Sequence, residues 1–538
     1  MPNNPIKTLV IDNFHGSMTR YAEGDINSGL ANVVESFAYD PFSSPGNLTW
    51  NESAIQIDAA GDVITDLIIA GKARVESGIT YVYCVGHTAR LYKIQVNDPT
   101  TYDPNYDNPV LLATLSSNSP TFTMGGFMDF FGSTEAIYIG HDKGVTKIGF
   151  DGTGESFVGA LGSWTQNVPR PLKQFIGNLY AGSGSNIVEI ISAGTVSTYS
   201  KLTPSFPNGT QIRDIDTTPD GNYLIAVVTR SALTDITVTT TNTSIISNLN
   251  SFIFRWNGID TGYTAFDSVP GAVLSANILF GNYQYTFGYD MIGGAVFAPI
   301  EKILTSTVDS AFTESPLPNA VISYDNLVAW ATPLWFEDHL EMTYAVYGSL
   351  SSEVEAGYWS IFGQLPSGDE TDVVRVPCQI LASNFAQGSS SNGYSNSIFG
   401  SSKIYFSTLE SSATTTAYKL FSWTPAPTGA GSPVMDGLYQ TQIQLFSKKV
   451  KAGEIRIYGK PWVAGNIFSM DLIGSDGEPI TGGSKTFTAG SNLTIGDDFA
   501  WYVPFMAPSY AIGVRINQLG TTNFTINKIE IDYSEGGK

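Results

Sequence analysis

Apolar and polar positions alternate with a period of two along much of the chain. Ile455-Arg456-Ile457-Tyr458 alternates, as does Phe524-Thr525-Ile526, and the pattern resumes in Ile529-Glu530-Ile531-Asp532-Tyr533. Such alternation is the signature of half-buried β-strands. Asn527-Lys528 shifts the phase between the last two runs, as a β-bulge would. Turn signals punctuate the pattern: Pro219-Asp220-Gly221-Asn222, Asp151-Gly152, Asn257-Gly258 and Asp476-Gly477. Long helical periodicity is scarce, and a short helix is expected only over Ile26 to Phe37. The expectation is therefore an all-β protein.

A repeated unit refines this expectation. Gly86-His87-Thr88-Ala89-Arg90-Leu91-Tyr92-Lys93-Ile94, Gly140-His141-Asp142-Lys143-Gly144-Val145-Thr146-Lys147-Ile148 and Gly182-Ser183-Gly184-Ser185-Asn186-Ile187-Val188-Glu189-Ile190 share one frame. In each, a glycine is followed five residues later by an aliphatic residue, then by a charge and an isoleucine. Each follows an apolar strand: Tyr81-Val82-Tyr83, Ala136-Ile137-Tyr138-Ile139 and Asn178-Leu179-Tyr180-Ala181. Two strands and a tight turn are marginal alone, so units ~40–50 residues apart imply four-stranded sheets stacked radially as a β-propeller.

Thr217 to Val227 resembles the Ser-Pro-Asp-Gly-x-Tyr-Leu segment of WD-like and lactonase-like propeller blades. Further strand-rich blocks lie at Asn277–Ile300, Val321–Phe362 and Gln379–Trp423, giving about six or seven blades. Thr234 to Asn250 reads as an inserted loop or hairpin, and Gly388 to Asn396 as a polar loop. The Pro/Gly run from Thr424 to Pro433 cannot continue a ladder and reads as a linker. The expected organisation is an N-terminal arm over 1–53, a β-propeller over 54–430, and a C-terminal β-sandwich over 435–538, jelly-roll or galactose-binding-like.

Composition narrows the function classes. The 538 residues include 27 Lys and Arg against 49 Asp and Glu, a net charge of −22. That balance argues against a nucleic-acid binder and against docking on anionic lipid. The two cysteines, Cys84 and Cys378, give no disulfide scaffold or cysteine zinc site. Met1 to Lys7 lacks the apolar stretch of a secretory signal, and no apolar run is long enough to span a bilayer. Synthesis in a cytoplasm with reduced thiols is expected.

Candidate chemistry is thin. His87 and His141 occupy equivalent repeat positions on what would be adjacent blades. They read either as a shared ligand pair or as turn residues accepting a backbone hydrogen bond. Asp103 to Asn108 resembles the start of a calcium loop, but Asn108 replaces the glycine and Thr114 the bidentate glutamate. The carboxylates of Glu337-Asp338-His339 and Asp369 to Asp372 are sequence neighbours, whereas acid–base pairs face each other across a cleft. No sialidase-type box, nucleophile elbow or phosphate loop is present. The expectation is no catalytic residue, no metal and no cofactor. One cationic cluster is the candidate docking patch for an acidic surface: Lys448, Lys449, Lys451, Arg456 and Lys460. Trp462 and Trp501-Tyr502 read either as core or as a sugar-stacking platform.

The opening Ile6 to Met18, with its Asp12-Asn13-Phe14-His15-Gly16 turn, resembles the start of tailed-bacteriophage structural proteins, although Ser17 replaces their second glycine. Phe524 to Tyr533 looks like the last strand of sandwiches common in phage tails and carbohydrate-binding proteins. The resemblance implies a virion structural component of a tail, nozzle or neck ring, assembled in the bacterial cytoplasm. Its partners would be other virion proteins and copies of itself in a ring. An acidic lumen would let DNA slide past without sequence-specific binding, and no membrane is involved. A carbohydrate-binding host-recognition protein of the tail, taking a host glycan as partner, is one alternative. A propeller-type hydrolase or lyase is the other.

Overall fold

The computed structural model describes residues 6–12, 14, 33–37, 47–50, 55–56 and 64–535, the last span with breaks, the longest at 97–108, 231–249, 290–300, 315–325, 384–397 and 424–436. Side-chain placements are described mainly for 64–190, 206–228, 252–266 and 437–535. The described secondary structure is β apart from one short 3₁₀ turn, Leu161–Ser163.

Seven four-stranded antiparallel units follow one another through the described residues. Blade 1 runs Ile68–Glu76, Ile79–Gly86, Arg90–Gln95, Pro109–Thr114, and blade 2 runs Phe127–Phe131, Ala136–His141, Gly144–Ile148, Ser156–Phe157. Blades 3, 4 and 5 begin at Leu172–Phe175, Thr210–Thr217 and Ala272–Phe280. Blade 6 is Asn326–Phe336, His339–Gly348, Val354–Gln364 and Cys378–Ser383. Blade 7 has three strands of its own, Ile398–Gly400, Lys403–Ser411 and Thr416–Trp423, and takes its fourth from the other end of the chain, Ile55–Gln56. The first strand of each blade touches the first strand of the next, and blade 7 touches blade 1, so the ring is closed. The protein body is a seven-bladed β-propeller.

The side chains explain the stacking. Blades 1 to 4 are buried on both faces, so their second strands are apolar at consecutive positions. Tyr83 and Val85 enter the core shared with blade 2, while Val82 and Cys84 enter a core shared with Tyr405 and Leu420 of blade 7. Ile137 and Ile139 face blade 1, and Tyr138 faces blade 3. A fully buried aliphatic or aromatic side chain contributes about 1.5–3 kcal/mol, so these inter-blade cores dominate the ring's cohesion.

The repeat glycines meet a steric demand. A Cβ at Gly86 would stand 2.3 Å from the Asp66 carboxylate, and one at Gly140 2.2 Å from the Arg170 carbonyl. Each repeat is the hairpin joining strands two and three of blades 1, 2 and 3. The turn signals hold as well: Gly152, Gly221, Gly258 and Gly477 all have φ between 69° and 82°.

The C-terminal module is a two-layer β-structure around one core. Ile455, Ile457, Ile529 and Ile531 from one layer meet Phe468, Met470, Phe487, Val514 and Ile516 from the other. Strand Gln444–Gly459 joins the layers: its start pairs with Ser509–Gln518, its end with Phe499–Tyr502 and Ile526–Glu535. The bulge expected at Asn527-Lys528 is present. Tyr458 pairs with Lys528 and Gly459 with Ile526, so Asn527 is the extra residue, and burial shifts from Phe524 and Ile526 to Ile529 and Ile531.

Residues 1–53, expected as an arm, contribute two described strands. Ile6–Ile11 pairs with Ile526–Glu535. Val33–Phe37 lies between Leu438–Thr441 of the terminal module and Cys378–Ser383 of blade 6. The helix expected up to Phe37 is therefore a strand over Val33–Phe37; paired Val33 and Val34 suit a pleated ladder better than a helix. Phe14 of the phage-like turn is buried against Tyr439, with ring centroids 5.6 Å apart.

Candidate functional site

The hairpins carrying the repeat glycines concentrate the buried polar groups of the propeller. In blade 1, the buried Asp66 carboxylate accepts from the Thr88 backbone N–H and hydroxyl and so fixes the turn. In blade 2, His141 is fully buried. Its Nδ1 accepts from the Lys143 N–H at 3.3 Å, which leaves Nε2 as the donor to Thr146 Oγ1 at 3.1 Å. Burial first, then the Arg170 and Lys143 cations, lower its pKa to about 3, so the ring is neutral at physiological pH. His141 is thus the turn residue accepting a backbone hydrogen bond. His87 sits in the same hairpin of blade 1, and its Nε2 is buried with no hydrogen-bond partner.

Arg170 joins blades 2 and 3. Its fully buried guanidinium donates to the carbonyls of Gly182 at 2.9 Å, Thr165 at 2.6 Å, Asp142 at 3.4 Å and His141 at 3.5 Å. It also lies over the Trp164 ring at 4.8 Å. Carbonyl dipoles converge on its charge, which is how a buried cation is tolerated.

The innermost strands carry a second set of charges. Lys72 of blade 1 pairs with Asp129 of blade 2, and Lys173 of blade 3 with Asp216 of blade 4. Asp129 also accepts from the Gln174 N–H of blade 3 at 3.1 Å, so the pairs stitch four consecutive blades. Burial alone would lower Lys173, but Asp216, Asp129 and Asp214 outweigh it and its pKa is raised. These groups act as inter-blade contacts. No groups of three or more His, Cys, Asp or Glu converge in a metal-holding arrangement among the described residues.

The cationic patch divides in two. Arg456 donates to Glu530 at 2.9 Å and to both Asp532 oxygens at 3.0 Å, and its pKa is raised by those carboxylates. Glu530 is in turn held down at about 2 by Lys528 and Arg456. Arg456 is therefore engaged within its own sheet. Lys448, Lys449 and Lys460 are exposed and Lys451 is half-buried. Lys448 and Lys449 lie in a register break between Leu445 and Val450, and Lys449 sits over the exposed Tyr510 ring at 5.5 Å. The sequence alone could not show that Arg456 is neutralised, because Glu530 and Asp532 lie some 75 residues away.

Of the aromatic platform candidates, Trp462 and Trp501 are core residues. Trp462 stacks on Phe468 at 5.3 Å, and Trp501 packs edge-on to Phe487. Tyr502, by contrast, is 68% exposed. The calcium-like loop Asp103 to Asn108, the carboxylate runs Glu337-Asp338 and Asp369 to Asp372, and His15 lie outside the described residues, as does the side chain of His339.

No family model and no curated protein matches the chain. Among solved structures, the chain is similar to the β-propeller domain of Cps50 (Swd1) from Myceliophteria thermophila, with 10% identity and a TM-score of 0.39. That match covers 64% of this chain and 93% of that one. It is also similar to a chain of the mitotic checkpoint complex, with 11% identity, a TM-score of 0.37, and coverage of 70% and 95%. Likenesses this distant add no weight to the propeller assignment, which stands on strand pairing and ring closure.

Proposed function

We infer that the protein is a non-catalytic structural component acting through protein–protein assembly, and specifically a virion component of a tailed bacteriophage in its tail, nozzle or neck ring. One observation carries the reading. The described polar clusters are spent on internal cohesion: His141 on its own turn, Arg170 and the Lys72–Asp129 and Lys173–Asp216 pairs on joining blades. Among the side chains left outward are Phe505 at 87% exposure and Tyr510 at 54%, with Lys449 over the Tyr510 ring. A propeller braced in this way suits a scaffold that holds partners. The phage assignment adds the opening turn around Phe14 and the net charge of −22, which suits a surface past which DNA slides.

The exposed Tyr502, Phe505 and Tyr510 favour a second reading, host glycan recognition by the terminal module, since rings stack on sugar faces. Density-gradient purification of phage particles, probed with an antibody to this chain, tests the first reading. The chain is expected to band with intact particles at a fixed copy number. Its absence from particles, together with glycan-array binding that Tyr510→Ala abolishes, would replace the first reading by the second.

A further inference from the structure

We propose that the free edge of strand Ile6–Ile11 pairs antiparallel with the same edge of a second copy of this chain. The inference deepens the assembly reading above and rests on it. The strand is outermost in its sheet: one side is hydrogen-bonded to Ile526–Glu535, and no described strand pairs with the other. Its six pairs run in unbroken register, so no bulge twists the edge away. Leu9 and Ile11 turn to the core, while Ile6 is 73% exposed and Val10 41%. The only charge on it, Lys7, is held by Glu535. Natural sheets normally protect such an edge with proline, free lysine, a bulge or a covering segment, and an unprotected apolar edge is a template for another strand.

Charge argues for a second copy as the occupant. Around the Ile6 end stand Lys7, Lys448, Lys449 and Lys451 with one neighbouring carboxylate, Glu535. From Thr8 onward the sheet carries Asp532, Glu454, Glu530 and Asp12 against Arg456 and Lys528. Antiparallel pairing about a two-fold axis sets the lysine-rich end of each copy beside the acidic end of the other. Across roughly 10 Å such charges are partly screened, so they set orientation more than affinity.

The axis must stand perpendicular to the sheet, so facing residues lie on the same face. The register that fits places Thr8 opposite Thr8, Lys7 opposite Leu9, and Ile6 opposite Val10 twice. The two most exposed apolar side chains of the strand thereby cover each other.

Sedimentation of the full chain tests this register. The wild type is expected to run with the mass of two chains. Ile6→Lys alone and Val10→Glu alone should each weaken dimerisation at least tenfold. The double variant I6K/V10E, which sets opposite charges face to face in both pairs, should recover it. Single variants that dimerise like wild type, or a double variant no tighter than the singles, would overturn the edge pairing and leave the assembly reading standing. A wild type that is monomeric at high concentration yet bands with particles would overturn it in favour of a foreign strand.

Discussion

His141 shows how a residue suggestive of chemistry becomes structural. In the sequence it is one of a matched pair of histidines after a glycine; in the fold its ring is sealed between blades, with both nitrogens engaged. Its pKa falls from the ordinary 6.5 to about 3. Between those values the unfolded chain binds a proton that the folded chain does not, so stability is full above pH 6.5 and declines as pH falls toward 3. Urea midpoints at pH 7 and pH 5 should therefore separate more for wild type than for His141→Gln. Equal separation would mean that the ring is protonated in the fold. The glycine before it was legible in the sequence, because tight turns and close approach leave few alternatives there. The Arg170 cradle was not, because backbone carbonyls leave no mark on a side-chain pattern.

Strands were legible wherever one or both faces are buried over several residues. The period-two runs ending in Ile531 and the apolar run Tyr81-Val82-Tyr83 are such cases. Ile55–Gln56 could not be found this way, since two residues have no period. Ile6–Ile11 is rich in β-branched residues but does not alternate, and its partner is more than 500 residues distant. Asn527 is the element-scale feature that the pattern did specify. Deleting it would slip the last strand by one residue and send Ile529 and Ile531 toward solvent. The loss would be about 1.5–3 kcal/mol for each of them, enough to erase most of a domain's stability. Asn527→Gly keeps the extra residue and should cost less than about 1 kcal/mol. Thermal melts of the two variants check this; a deletion variant that melts with wild type would show that the bulge does not set the register.

At the scale of the whole molecule, the N-terminal stretch of the chain is used as a set of fasteners. Ile55–Gln56 closes blade 7, Val33–Phe37 ties blade 6 to the terminal module, and Ile6–Ile11 completes that module's first layer. The cationic patch follows the same logic of division: Arg456 is consumed within the sheet, while Lys448, Lys449 and Lys451 remain at the edge where a neighbour would sit. A closed, internally braced seven-bladed ring is the central claim. A density map of the purified chain tests it most directly. The account predicts seven radial sheets in a closed ring, with the outer strand of the seventh traceable to residues near position 55. An open array, another number of sheets, or a seventh sheet completed by its own C-terminal strand would contradict it.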